Sequence, residues 1–311
     1  MKQVTLQNTL EKLRKKRNFF AIDYLNQKII EINKFFNVEG LNSAVIGLSG
    51  GIDSAVVYKL LIAAANEKNS PIKEIHGVFI PINTSGITGQ EEAKSRVFDL
   101  FKSFCNVSKE KKHSLIEYDI TEAVEKLLSM TKPENAWVSG QMACIVRTPI
   151  LYGEAAKLQS KGLKSLVIGT TNRDEGSYIG FFGKASDAMV DLQPIADLHK
   201  SEVIELAKIL NIPQSIIDIQ PKGDVWDAKV DEEMIGAPYW FLEMYLLMKQ
   251  YWSIKKQNNY QYLLSTEERE VYLKYAVAIE KIHSINSHKY KVGSPARFID
   301  IMQRKIKGGW Q

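Results

Sequence analysis

The sequence predicts an α/β fold in which a doubly wound parallel sheet is flanked by helices. Short apolar runs of strand length alternate with longer segments in which apolar residues recur every three to four positions. The strands are thus joined by helical connections, which parallel neighbours need and hairpins do not. A chain of 311 residues with 45% hydrophobic content can bury such a sheet on both faces. We expect ligands beyond the carboxyl ends of these strands.

The predicted elements alternate regularly along the first two thirds of the chain. Residues 6–36 are apolar at helical spacing and predict an N-terminal helical segment. Buried strands are predicted at 45–48, 75–81, 114–120 and 166–169. Helices are predicted at 55–64, 90–104, 121–129, 141–161 and 199–210, with a loop at 132–140.

The last part of the sequence has a different character. A polar, irregular stretch at 221–236 leads into a region that is mostly helical and rich in tyrosine, tryptophan and phenylalanine. We predict one domain over residues 1–311, with 1–36 as an N-terminal helical segment and 240–311 as a helical C-terminal extension. The N-terminal helix and the aromatic region are the candidate surfaces for contact with a second copy of the chain.

Composition and charge exclude several classes of function. The chain has 41 Lys and Arg residues against 36 Asp and Glu residues, a formal net charge of +5. This excess suits polyphosphate substrates but is too small to predict nucleic-acid binding. Cys105 and Cys144 lie far apart without a CxxC pattern, so no disulfide framework or zinc site is expected. Without a signal-peptide pattern or a run of about eighteen apolar residues, a cytoplasmic protein that does not bind membranes is predicted.

Residues 45–54 (VIGLSGGIDS) read as a strand that ends in a phosphate-binding turn and continues into a helix. Gly50 and Gly51 allow backbone N–H groups to converge on an anion, and the helix N-terminus adds its positive dipole end. Ser49 and Ser54 contribute hydroxyl donors. Asp53 is poorly placed to contact phosphate but well placed to hold a cation that does. The pattern lacks the Gly-Lys-Ser/Thr of a Walker loop and is not GxGxxG.

The spacing SGGxDS resembles the pyrophosphate-binding loop of the PP-loop ATP pyrophosphatases, which have the adenine nucleotide alpha hydrolase-like fold. Later motifs narrow the resemblance to the ammonia-dependent NAD synthetases. They are Arg147 five residues before Tyr152, then 169–175 (GTTNRDE), 180–184 (GFFGK), 191–203 (DLQPIADLHKSEV), 221–236 (PKGDVWDAKVDEEMIG) and 287–289 (SHK).

The resemblance implies a two-step reaction. A carboxylate of deamido-NAD attacks the α-phosphate of ATP and gives an acyl-adenylate and pyrophosphate, and ammonia then displaces AMP. No side-chain nucleophile is needed, and charge on the triphosphate must be neutralised, so Mg²⁺ and cationic side chains are expected to contribute most of the catalysis. The family also implies a homodimer.

The resemblance further implies a set of site residues, by matching motifs. The catalytic candidates are Asp53, Glu175, Lys184 and Asp187, and the two metal-binding carboxylates are Asp53 and Glu175. The ATP-binding candidates are Gly47, Ser49, Gly50, Gly51, Asp53, Ser54, Arg147, Thr170 and Lys200. The substrate-binding candidates are Phe181, Phe182, Lys184, Asp187, Asp224, His288 and Lys289.

Because of three departures from the family pattern, the sequence does not determine which acid is the substrate. Ile145 stands where the family usually has an arginine, residues 185–188 (ASDA) replace Tyr-Gly-Asp-Gly, and Lys222 replaces a hydroxyl residue. An apolar side chain cannot imitate a bidentate arginine contact. The alternatives are an adenylating amide ligase for a different small acid, a PP-loop RNA-modifying enzyme, and a nucleotide-binding protein without catalysis.

Overall fold

A six-stranded parallel sheet forms the centre of the protein, as a computed structural model shows for residues 4–84, 89–103, 112–221, 230–291 and 297–298. The strands are β1 (Ser43–Gly47), β2 (Glu74–Phe79), β3 (Lys112–Glu117), β4 (Ser165–Ile168), β5 (Leu192–Gln193) and β6 (Arg297–Phe298). Their order across the sheet is β3-β2-β1-β4-β5-β6, and every pair is parallel. The predicted doubly wound parallel sheet is therefore confirmed.

The direction of winding reverses at β1. The chain moves from β1 to β2 and β3 on one side, and β4 then pairs with β1 on its other side. Such a switch point opens a crevice at the carboxyl ends of the two central strands, where ligands bind in doubly wound sheets. Ser49 follows β1 and Thr170 follows β4, so both residues lie at this crevice.

Helices cover both faces of the sheet and continue into a helical C-terminal region. A short 3₁₀ helix spans Gln261–Leu263. The α-helices are α1 (Leu6–Arg17), α2 (Ala21–Val38), α3 (Ile52–Asn66), α4 (Gln90–Lys102), α5 (Thr121–Thr131), α6 (Ala136–Ser160), α7 (Arg173–Gly176), α8 (Lys200–Ile209), α9 (Gln214–Ile217), α10 (Asp231–Ile235), α11 (Tyr239–Tyr251), α12 (Ile254–Tyr260), α13 (Thr266–Asn286) and α14 (His288–Lys291).

Residues of one strand alternate between two hydrophobic cores. Ala44 and Ile46 of β1 pack with apolar residues of α2, α3, α4 and α8, whereas Val45 packs with α5 and α6 on the opposite face. This alternation follows from the two-residue period of a strand. Both faces are apolar, which explains why the strands read as continuous apolar runs rather than alternating ones.

A third core joins the two ends of the chain. Leu6, Leu10 and Leu13 of α1 pack with Phe241 of α11 and Ile279 of α13, and all five side chains are buried. The N-terminal helix and the aromatic region, predicted as candidate dimer surfaces, thus bury much of their apolar area against each other. No helix in the described part of the chain combines the length and the apolar character that a membrane span needs.

Several predicted boundaries were wrong for local reasons. The N-terminal helical segment breaks at Asn18, which has a φ of 56° and ends α1. The predicted loop at 132–140 is partly helical, because the side chain of Asn135 accepts from Val138 N and α6 begins at Ala136. β5 and β6 have two residues each, too few for a hydrophobic pattern to show.

Candidate active site

The glycine loop after β1, formed by Ser49, Gly50 and Gly51, is held by hydrogen bonds that involve Ser49 and Ser54, and it packs against α4. Gly50 has a φ of 75°, a conformation that L-residues with a side chain rarely adopt. Ser49 N donates to Ser54 Oγ at 3.3 Å, and Gly51 N donates to Ser49 Oγ at 3.2 Å. Ser54 Oγ in turn donates to Gly51 O at 3.0 Å. The loop is thus shaped at the N-terminus of α3, as an anion site requires.

A cluster of opposite charges lies beside this loop. The ammonium of Lys200 contacts Asp53 Oδ2 and lies 3.6 Å from Glu175 Oε1. The side-chain amide of Asn172 also joins the two carboxylates, donating to Asp53 Oδ1 at 3.1 Å and Glu175 Oε1 at 2.7 Å. Residues from α3, from α8 and from the segment after β4 therefore meet at the switch point.

The charges in this cluster depend strongly on one another. Burial raises the pKa of the Glu175 carboxyl to about 8, and the neighbouring charge of Asp53 acts in the same direction, whereas Lys200 opposes it. Burial also acts to lower the pKa of Lys200, but Asp53 and Glu175 hold it above its usual value. Lys200 is consequently a cation, and the two carboxylates share it.

A buried histidine fixes the start of α8. Asp174 Oδ2 accepts from the backbone N of Lys200 at 2.7 Å, and Asp174 Oδ1 shares a hydrogen bond with His199 Nδ1 at 2.6 Å. Burial raises the pKa of Asp174 to about 7 and lowers the pKa of His199 to about 3. His199 is therefore neutral, and the contacts that Asp174 makes with His199 and Lys200 aim Lys200 at the cluster.

A cleft of about 850 Å³ opens above the cluster, and a smaller pocket of about 170 Å³ lies next to it. Arg147, Thr170 and Asp187 line both spaces. Arg147 Nε donates to Ile80 O at 3.2 Å, so its guanidinium is anchored at the end of β2. Gly47 and Ser49 also line the smaller pocket, whose other walls are mostly apolar side chains.

A family model described as NAD synthase matches residues 24–293, which include the glycine loop, the cluster and the cleft. The chain belongs to the NAD synthase family. It is 33% identical over 219 residues to a protein of Thermoplasma acidophilum named NH(3)-dependent NAD(+) synthetase, covering 70% of this chain and 81% of that one. A protein of the same name from Methanococcoides burtonii is 29% identical over 280 residues, covering 87% and 91%.

Solved structures of the NAD synthase type share the fold. The structure of NMN synthetase from Francisella tularensis is 25% identical, has a TM-score of 0.66, and is matched over 88% of this chain and 96% of that chain. The α/β sheet with its helical C-terminal region is thus the arrangement found in this family.

Most of the predicted ATP-binding residues lie together in this NAD synthase chain. Ser49, Gly51, Asp53, Ser54, Arg147, Thr170 and Lys200 all line the larger cleft. Gly50 lies between them in the loop, and Gly47 lines the smaller pocket. The structure places these residues next to one another, and their individual roles stay predictions.

The predicted substrate-binding residues are only partly brought together. Phe181, Phe182, Asp187 and Lys289 line the cleft, and the carboxylate of Asp187 accepts from Gly183 N at 3.0 Å. Lys184 is exposed and is not among the residues that line it. Asp224 lies outside the described residues.

Lys289 lines the cleft, and its ammonium is held by hydrogen bonds to the backbone. It donates to the carbonyls of Gly180 and Phe182. Asn286 Nδ2 donates to Ile179 O at 2.8 Å, and Tyr290 OH donates to Gly176 O at 2.9 Å. Helices α13 and α14 therefore hold the segment 176–182 in place. His288 is exposed and does not line the cleft.

Tyr239 and Asp231 belong to the site but were not among the predicted site residues. Tyr239 OH donates to Glu175 Oε1 at 3.0 Å and is 3.2 Å from Asp231 Oδ2. Its ring centroid is 5.2 Å from the Lys200 ammonium. Tyr239 begins α11 and Asp231 begins α10, about sixty positions after Glu175, so only the fold brings them to the cluster. Asp231 lies within the recognised motif 221–236, but nothing in that motif marked it as a neighbour of Glu175. Asn172 stood within a recognised motif, but nothing marked it as the bridge between the carboxylates.

Proposed function

We propose that this chain joins ammonia to deamido-NAD in an ATP-dependent reaction that gives NAD, AMP and pyrophosphate through an acyl-adenylate. The observation that carries this proposal is the cluster of Asp53, Glu175 and Lys200 at the start of the helix that follows the glycine loop. Similarity to proteins named NH(3)-dependent NAD(+) synthetase supports the acid and the nitrogen source.

ATP would occupy both the larger cleft and the smaller pocket of the site. The loop of Ser49, Gly50 and Gly51 lies at the N-terminus of α3, and the terminal phosphates would replace the serine hydroxyls as acceptors for the backbone N–H groups of Ser49 and Gly51. The apolar pocket of about 170 Å³ beside Thr170 suits the adenine ring. The α-phosphate would then lie between these parts, facing the larger cleft that receives the acid.

Asp53 and Glu175 fit a divalent cation because both carboxylates converge on the position that the Lys200 ammonium now shares. No group of three or more His, Cys, Asp or Glu side chains in the described residues has the arrangement of a protein-only metal site. That agrees with Mg²⁺, which uses one or two carboxylates and takes its other ligands from water and phosphate oxygens. Bound Mg²⁺ would neutralise phosphate charge.

The proposed steps conserve atoms and charge without a covalent enzyme intermediate. A carboxylate oxygen of the acid bonds to the α-phosphorus while the bond from that phosphorus to pyrophosphate breaks. Lys200 stabilises the charge that develops on the leaving group. Asp187 at the cleft edge takes a proton from the ammonium ion that enters, and the resulting ammonia bonds to the acyl carbon. The bond from that carbon to the AMP oxygen breaks, AMP leaves, and the second proton that the nitrogen loses passes to solvent.

The proposal is tested by pyrophosphate release from ATP and Mg²⁺ with ammonium, in the presence and absence of deamido-NAD. We expect release that depends on deamido-NAD, with NAD and AMP formed in equal amounts. No stimulation by deamido-NAD in protein that binds ATP would contradict the proposal. A parallel reaction with nicotinic acid mononucleotide is included because the Francisella tularensis structure is named NMN synthetase. Faster turnover of that acid would favour the alternative ligase.

We also propose that the protein is a homodimer and that α6 lies at its interface. Trp137, Ile145 and Tyr152 follow one another on α6 at intervals of eight and seven residues and are 58%, 42% and 36% exposed. These intervals keep the three side chains on one side of a helix. Ile145, where the family usually has arginine, and Tyr152 are not among the residues that line the cleft of their own chain, whereas Trp137 lines it, so the proposed interface borders the site.

The variant Ile145→Glu is expected to shift the protein from dimer to monomer, because it adds a charge to the proposed apolar interface. Light scattering after size-exclusion chromatography measures the molar mass. Val38→Glu is the matched control, since Val38 is 73% exposed at the end of α2, which packs on the opposite face of the sheet from α6. A monomeric unmodified protein, or an Ile145→Glu variant of unchanged mass, would show that α6 is not the interface.

Two further parts of the sequence prediction stay proposals. We propose that residues 1–311 form one domain, which is supported by the packing of α1 on the C-terminal helices and by the hydrogen bonds from α13 to the loop after β4. The cytoplasmic location remains a prediction from the sequence.

A further inference from the structure

Helix α4 packs directly against the glycine loop. A Cβ atom placed on Gly50 would lie 2.8 Å from the carbonyl oxygen of Ala93, so no side chain separates the two segments. One helical turn beyond Ala93, Arg96 Nε donates to the carbonyl oxygen of Gly50 at 2.9 Å. The guanidinium of Arg96 is therefore fixed at the loop by a contact to the loop itself.

The remaining nitrogens of this guanidinium are available to a ligand. Within the described ranges, Arg96 has no salt bridge, and its contact with Gly50 uses only Nε. Arg96 lines the cleft of about 850 Å³ together with Ser49, Gly51 and Asp53. Burial lowers its pKa, and the nearby charge of Glu92 opposes that shift only in part. A partly desolvated cation that lacks a protein counterion is a favourable partner for an anion.

We propose that Arg96 binds the terminal phosphates of ATP, the part that leaves as pyrophosphate. A guanidinium presents its donors in a planar fork that matches two phosphate oxygens, and here one edge is held by the Gly50 carbonyl. The phosphates would thus meet Lys200 from α8 on the Asp53 side and Arg96 from α4 on the Gly50 side.

This assignment rests on the proposed use of ATP and adds a residue that none of the recognised motifs contains. The arginine has two effects that act together. Its contact with the Gly50 carbonyl supports the loop conformation at a φ of 75°, and its free edge adds positive charge where pyrophosphate leaves. Binding of pyrophosphate should consequently depend on Arg96, whereas binding of AMP should not.

Calorimetric titration of the full chain with magnesium pyrophosphate and, separately, with AMP tests the proposal. We expect Arg96→Ala to weaken pyrophosphate binding about 10- to 100-fold, as loss of a charged hydrogen-bonding group does, with AMP affinity unchanged. Arg96→Lys should recover part of the loss, because it keeps the charge but not the fork. Lys102→Ala removes one positive charge from the exposed end of the same helix and is the matched control.

Pyrophosphate affinity of Arg96→Ala equal to that of Lys102→Ala would overturn the assignment, as would no pyrophosphate binding by the unmodified protein. Equal losses for pyrophosphate and AMP in both Arg96 variants would show that the residue supports the fold only. These outcomes are separate from the amidation reaction, since no acid is present. A protein that binds pyrophosphate through Arg96 but makes no NAD would refute the proposed function and leave this assignment standing.

Discussion

Replacing Asp53 with asparagine is expected to slow adenylate formation about 10³-fold, the largest effect that we predict for a single charge in the site. The side chain keeps its size but loses its charge. Asp53 accepts from both Asn172 and Lys200, and asparagine has only one acceptor oxygen for these two donors. Its amide nitrogen would face a cation, and a carboxylate ligand proposed for Mg²⁺ would be lost.

Glu175→Ala is expected to slow the same step by a comparable factor, because the two carboxylates share Lys200. Their losses should not add in the double variant, since each single change already disrupts the shared cation site. Tyr239 and Asn172 would also lose an acceptor in Glu175→Ala, so that variant needs a check of its thermal unfolding.

Pyrophosphate release in a single turnover measures these effects, and a titration with Mg²⁺ gives a second reading. We expect Asp53→Asn to need more Mg²⁺ as well as to react more slowly. Asp99→Asn is the matched control, because Asp99 is an exposed aspartate on α4. Release within threefold of the control rate in either variant would remove that residue from the proposed metal site.

The parallel sheet and the glycine loop were predicted from the sequence because both leave local patterns in it. The apolar runs at β1, β2, β3 and β4 are long enough to show burial, and Gly50 is required by its backbone conformation. The break at Asn18 was missed because its cause is one residue in a left-handed conformation, which an apolar period cannot reveal. Tertiary contacts at the sheet edge, rather than local pattern, produce β5 and β6.

The candidate site likewise contains residues that motifs predict and residues that only the fold brings into place. Asp53, Glu175 and Lys200 were predicted through ordered motifs, and the structure brings them together. Arg96 carried no signal because one arginine on a charged amphipathic helix is ordinary, and its value comes from the carbonyl of Gly50 on another segment. The motif of Lys289 was recognised, and Lys289 lines the cleft from α14, but its hydrogen bonds to the carbonyls of Gly180 and Phe182 could not be predicted from the motif.

Gly50→Ala is expected to weaken ATP binding about 10²- to 10³-fold, by two independent causes. The left-handed conformation of Gly50 costs a residue with a Cβ about 1 to 2 kcal/mol. The new Cβ would also lie 2.8 Å from Ala93 O, and this is a backbone atom that moves only if α4 shifts. Overpacking of this kind costs about 1 to 3 kcal/mol. Because Arg96 is on the same helix, the shift would also displace its guanidinium from the loop.

The variant Gly162→Ala separates the cost of the left-handed backbone conformation from the cost of overpacking against α4. Gly162 has a φ of 80°, yet a Cβ there would meet nothing within 4 Å. We expect this variant to lose about 1 kcal/mol of unfolding free energy and to keep its ATP affinity. Calorimetric titration with ATP and thermal unfolding, applied to both variants, give the comparison. If Gly50→Ala binds ATP as tightly as Gly162→Ala does, then α4 yields at no cost to the site, and the close packing of this helix does not shape the phosphate loop.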